Sequence, residues 1–158
     1  MANTQNLKII ETEIKKKFLS LQNAQELKCK IPEIKPDIIA IRAKTLILGE
    51  ITTSGYHGGR NHNKSFHTGA ARKLTESYSK LDFLRREKYK LAKVIPAKFS
   101  SIEIHYVTIK DSKYQPKGWR KDLFKTCGLV HTEIKLNTKT LQIIKKSITK
   151  AKNEIKKK

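Results

Sequence analysis

The sequence predicts an α/β fold in which one central mixed sheet is flanked by helices. Three observations point there. Apolar residues recur every three or four positions in the first, middle and last stretches of the chain; they alternate with polar residues in the stretches between; and the two kinds of stretch are interleaved. The chain has 158 residues, 37% of them hydrophobic, enough for one ordinary core and too short for two full domains. Residues 1–158 are therefore read as a single domain.

From Asn6 to Leu21, the residues Leu7, Ile10, Ile14, Phe18 and Leu21 form one helical stripe, with Lys15, Lys16 and Lys17 mostly off it. A strand is expected from Gln25 to Ile31, ending at Pro32. Two apolar runs follow, Pro36 to Ile41 and Thr45 to Thr52, and the short link Arg42-Ala43-Lys44 makes them a β-hairpin. Ser54 to Ser65 contains three glycines and two histidines without a period, which is loop composition. A long helix is predicted from Phe66 to about Lys90, its stripe being Ala70, Leu74, Tyr78, Leu81 and Leu84. Alternation predicts strands at Ser101 to Ile109 and Gly128 to Leu136, with a loop between them that carries a short helix at Arg120 to Lys125. From about Thr140 to the end, Leu141, Ile144, Ile148, Ala151 and Ile155 mark an amphipathic helix whose other face is nearly all lysine.

Lysine and arginine number 35 against 14 acids, a formal charge of +21. So strong a field of one sign opposes compaction, and a polyanionic partner accounts for it, nucleic acid first among them. Biased composition explains lysine in place of arginine but not the shortage of acids. Cys29 and Cys127 lie in different segments with no C-x-x-C pair, which argues against a structural zinc or a disulfide scaffold. Met1 to Ile10 lacks the apolar run of a signal peptide, and no stretch approaches the ~18 apolar residues of a membrane span. The expectation is a cytoplasmic protein without membrane contact.

The hairpin carries the chemistry. Asp37 opens its first strand and Glu50 ends the second, so antiparallel pairing can bring both carboxylates to one sheet edge. Two carboxylates among apolar residues are costly unless a cation lies between them, and Mg²⁺ suits oxygen ligands of this kind. As ordinary structure, Asp37 would be a strand-entry acid and Glu50 a strand-end acid paired with a lysine.

Pro36-Asp37 and Leu48-Gly49-Glu50-Ile51-Thr52-Thr53 resemble the active-site hairpin of the PD-(D/E)XK nuclease superfamily, and a subgroup of small nucleases with a Glu-hydrophobic-Thr-Thr sequence in particular. The resemblance implies a restriction-endonuclease-like core of order αβββαβ(α)βα and a metal-dependent DNA endonuclease. It implies that Mg²⁺, or Mn²⁺, is bound by Asp37, Glu50 and the main-chain carbonyl of Ile51. An additional acid often comes from the first helix; Glu11 is chosen over Glu13 because it lies nearer the apolar stripe. Thr52 stands where the superfamily has its lysine; threonine supplies no positive charge to water or phosphate, so either Thr52 itself serves in catalysis, or a lysine reaches in from elsewhere, or the site is inactive. Some members relocate this lysine to the following helix, which nominates Lys73, with Lys64 in the preceding loop as the rival.

Two further segments are candidates for DNA contact. His57, Arg60 and Lys64 lie in the glycine-rich loop, where the backbone can approach a phosphate closely. The five-residue spacings of His57, His62 and His67 match no zinc pattern. Lys117, Trp119, Arg120 and Lys121, with Tyr114, place aromatics among cations, as phosphate contact combined with stacking requires, although a loop Trp also serves as a core anchor. Cleavage of both strands of a duplex with one site per chain would imply a homodimer. Two other readings stay open: a non-catalytic DNA-binding protein on a degenerate nuclease fold, and a basic RNA- or ribosome-associated protein.

Overall fold

The computed structural model describes residues 4–53, 68–110 and 118–155. Its elements run α1 (Thr4–Gln22), β1 (Gln25–Glu26), β2 (Ile38–Arg42), β3 (Thr45–Ile51), α2 (Thr68–Arg86), α3 (Lys88–Val94), β4 (Ser101–Ile109), α4 (Arg120–Lys125), β5 (Leu129–Ile134) and α5 (Thr138–Ile155). The protein is α/β, with one five-stranded mixed sheet in the order β1-β2-β3-β4-β5. β2 runs antiparallel to both neighbours, whereas β3, β4 and β5 are parallel. Parallel neighbours need crossover connections, here α2 with α3 between β3 and β4, and α4 between β4 and β5.

Two apolar clusters, one on each face, hold the layers together. Ile10, Ile14 and Phe18 of α1 and Ile144 of α5 pack on Ile38, Ala40, Ile47, Ile51 and Val107. On the opposite face, Leu74, Leu81 and Leu84 of α2, Leu91 of α3 and Leu123 of α4 pack on Ile39, Leu46, Leu48, Ile104 and Tyr106. β3 is buried along nearly its whole length because both its neighbours and both its faces are covered. Arg42 and Thr45 close the hairpin around a two-residue turn, which takes Ala43 to φ 52°.

Three expectations are corrected. The strand expected over Gln25 to Ile31 pairs only at Gln25 and Glu26, with one further bond from Leu27 N–H to the Ile39 carbonyl at 2.8 Å. The chain then turns as Cys29 N–H bonds the Leu27 carbonyl. Leu27, Cys29 and Ile31 still pack against the α2-side core, so their alternation reports burial on one side without a ladder. The long helix ends at Arg86, because Glu87 leaves helical geometry (φ −85°, ψ 33°), and α3 resumes to bury Leu91 and Ile95. No glycine or proline marks that break. On the first helix Leu21 is exposed, off the buried stripe. No helix among the described residues is long and apolar enough to cross a membrane.

Candidate active site

The hairpin register ends at the pair Ile38 and Gly49, which makes Asp37 and Glu50 neighbours at the next rung. A Cβ on Gly49 would lie 3.1–3.2 Å from Ile38, so glycine lets the two strands carrying these acids close together. Asp37 Oδ2 accepts the Ile51 N–H at 2.8 Å, fixing one carboxylate against the backbone beside the other. The site lies at the carboxyl ends of β3 and β4, where open α/β sheets place their ligand crevices.

Glu50 is buried, and Lys80 Nζ of α2 stands 2.5 Å from its Oε1. Burial, and then the charge of Asp37, push the Glu50 carboxyl above the usual glutamate range, while Lys80 and a bond from the Asp37 backbone oppose the rise. Asp37 and Glu50 thus present two carboxyl groups side by side, with one ammonium, Lys80, on Glu50. Such a donor set fits a hard divalent cation that keeps part of its water shell. Among the described residues no three His, Cys, Asp or Glu side chains form a ready cage for a metal. A Mg²⁺ here would therefore be held by Asp37 and Glu50, with substrate oxygens or water in the remaining positions.

Of the residues singled out from the sequence, Glu11, Asp37 and Ile51 line one cavity of about 460 Å³. Glu13, passed over in favour of Glu11, turns to α5, where the Thr140 hydroxyl donates to it. Burial alone would raise the Glu13 carboxyl, but the bonds from Thr140 and Lys17 hold it below the usual range. Thr52 is 1% exposed, and its N–H bonds the Val107 carbonyl at 2.9 Å, prolonging the β3–β4 ladder. The cation on Glu50 is Lys80; Lys73 lies two turns earlier on α2, about 10 Å away along the axis. The row Lys73, Ser77, Lys80, Leu84 advances by four, three and four, and Ser77 and Leu84 are both buried. That flank of α2 therefore borders the sheet, a signal that reading the main stripe alone missed.

Trp119 is 56% exposed, with the Arg120 guanidinium 4.8 Å from its ring centroid, and Lys121 is exposed. Trp119 thus lies at the surface instead of anchoring the core. His57, Arg60, Lys64 and Lys117, with Tyr114, His62 and His67, lie outside the described residues, as do the side chains of α5 beyond Lys146.

Sequence reading also missed a buried histidine on β4 and a half-buried one on β5. His105 lies under Phe18 at 5.2 Å, edge to face, between Thr132 Oγ1 at 3.3 Å and a Glu103 carboxylate at 3.2 Å that also accepts from Arg42. His131 shares the rung of Glu50 and Tyr106, stacks on Phe124 and meets the Thr108 hydroxyl at 2.8 Å. Burial lowers both imidazoles below the ordinary histidine range, against the pull of Glu103 on one and Glu133 on the other. When the pH falls below about 6.5, the unfolded chain takes up these protons before the folded one does. Stability should therefore fall as pH drops from 7 to 5, by a slope that His105→Gln reduces. Urea unfolding across that range measures it, and a pH-independent midpoint would contradict the burial described.

Compared with protein-family models, curated proteins and solved structures, the chain matches none.

Proposed function

We propose that this protein is a metal-dependent deoxyribonuclease built on a restriction-endonuclease-like core, with Asp37, Glu50 and Lys80 as its central residues. The observation that carries the reading is the meeting of Asp37 and Glu50 at one sheet edge with a lysine from the next helix on Glu50. The element order supports it, differing from the expected αβββαβ(α)βα only by the extra short helix α3. Lys80 answers the absence of a lysine at Thr52: it brings an ammonium to the same carboxylate from α2.

Bound Mg²⁺ would supply Lewis acidity toward the phosphate and a more acidic water. Asp37, held by the Ile51 amide, keeps its carboxylate at the strand edge in a fixed orientation. Glu50 adds the second carboxylate. The Lys80 ammonium offers positive charge where phosphate oxygens gain negative charge as the water oxygen bonds phosphorus and the P–O bond to the leaving alkoxide breaks. Glu11, across the cavity from α1, can orient water or cation there. Exposed Trp119 and Lys121, with the half-buried Arg120 beside the indole, suit contact with the DNA backbone and bases.

Incubation of supercoiled plasmid with Mg²⁺ tests the reading. Nicked or linear product that EDTA and Asp37→Ala both abolish is expected; intact plasmid in the presence of Mg²⁺ and Mn²⁺ would refute it. Affinity for duplex DNA should also fall steeply with salt, because lysines that neutralise phosphates release condensed counterions. With about six to ten phosphate contacts the loss between 50 and 200 mM salt is on the order of a thousandfold or more. Fluorescence anisotropy with a labelled duplex measures it, and a salt-insensitive affinity would overturn the electrostatic account.

A further inference from the structure

The cavity that Asp37 shares with α1 is more than the edge of a carboxylate pair. α1 contributes Lys8, Glu11, Thr12, Lys15, Lys16 and Leu19, spacings that form a continuous helical face beside the stripe of Ile10, Ile14 and Phe18. Lys35, immediately before the hairpin, adds a further ammonium. The Lys15 ammonium is already engaged by Glu26 at 3.1 Å, whereas Lys8, Lys16 and Lys35 are exposed. Half-buried Leu19 and the largely buried Pro36 and Ile51 add the apolar part of the lining.

A volume of about 460 Å³ falls within the range of small-ligand sites. Its lining supplies what a nucleotide requires: ammoniums for a phosphate, apolar surface for a sugar and base, and the Glu11 carboxylate and Thr12 hydroxyl for polar edges. Because Asp37 is part of the lining, the cavity adjoins the carboxylate pair and is within reach of a nucleotide next to a phosphate bound there.

We propose that the cavity between α1 and the start of β2 is a nucleotide-binding subsite, in which Lys16 and Lys35 hold a phosphate and Leu19 and Ile51 contact the sugar or base. The proposal rests on the nuclease reading for its place in the reaction, but binding itself does not depend on cleavage. The subsite takes one nucleotide of a single strand, so a duplex reaches it only where its strands part or fray.

Thymidine 5′-monophosphate is the probe, titrated in EDTA against full-length protein with methyl groups labelled for NMR. Saturable shifts at Leu19 and Ile51 are expected, together with at least a tenfold loss of affinity in Lys16→Glu/Lys35→Glu. Both substituted side chains are exposed, and an unchanged thermal melt verifies that the variant is folded. The proposal is overturned if the nucleotide leaves the Leu19 and Ile51 methyls unmoved, if the folded double variant binds it as well as wild type, or if inorganic phosphate binds equally tightly. Nucleotide binding without plasmid cleavage would retain the subsite and remove the nuclease reading. Cleavage without nucleotide binding would do the reverse.

Discussion

Lys80→Ala is expected to lower the rate of Mg²⁺-dependent plasmid cleavage by about a hundredfold to a thousandfold, the range for removing one preorganised charge from a site of this kind. Lys73→Ala, two turns away, should change it by less than threefold. Binding of duplex DNA should be nearly unaffected in both variants, since one phosphate contact among many contributes little. A second readout separates chemistry from scaffolding. Lys80 and a divalent cation compete for the negative charge of Glu50, so Lys80→Ala should bind Mn²⁺ more tightly even as cleavage falls. If Lys80 served only to neutralise Glu50 for stability, its removal would lower the melting temperature and leave the rate per folded molecule unchanged. Lys80→Arg, which keeps the charge, should recover part of the rate. Loss of cleavage in Lys73→Ala with full activity in Lys80→Ala would return the role to Lys73.

Phe18→Ala is expected to destabilise the fold by about 3–5 kcal/mol. Phe18 is fully buried at the centre of the α1 face, and its ring meets His105 edge to face, so truncation removes both apolar burial and an aromatic contact. For a domain of this size the thermal midpoint should drop by roughly 10 °C. Chemical denaturation measures the effect directly. A loss below about 1 kcal/mol would mean that α1 does not cover the sheet as described. Because α1 also carries Glu11 and the lysines of the cavity, the same variant should weaken nucleotide binding at temperatures where the protein remains folded.

Much of the architecture was legible from periodicity alone. The strand at Ser101 to Ile109 and the short helix at Arg120 to Lys125 fall where alternation and composition place them. The pairing of Asp37 with Glu50 was legible because a tight turn between two apolar runs leaves few registers. Lys80 was not. Its place depends on the phase of α2 against the sheet, and that phase is set by long-range packing of Leu74, Leu81 and Leu84 on β3 and β4. The same limit explains β1, where Leu27, Cys29 and Ile31 alternate because they pack on the core after the backbone has left the ladder. His105 and His131 carried no spacing signal, since the Thr132 and Thr108 hydroxyls they meet lie on the neighbouring strand.

Anomalous diffraction from a crystal soaked in Mn²⁺ tests most directly the proposal that Asp37 and Glu50 form a divalent-cation site. One strong peak is expected between the two carboxylates, within coordinating distance of both, with Lys80 displaced from Glu50 or shared with a bound water. An empty site at millimolar Mn²⁺, with Lys80 still on Glu50, would contradict it.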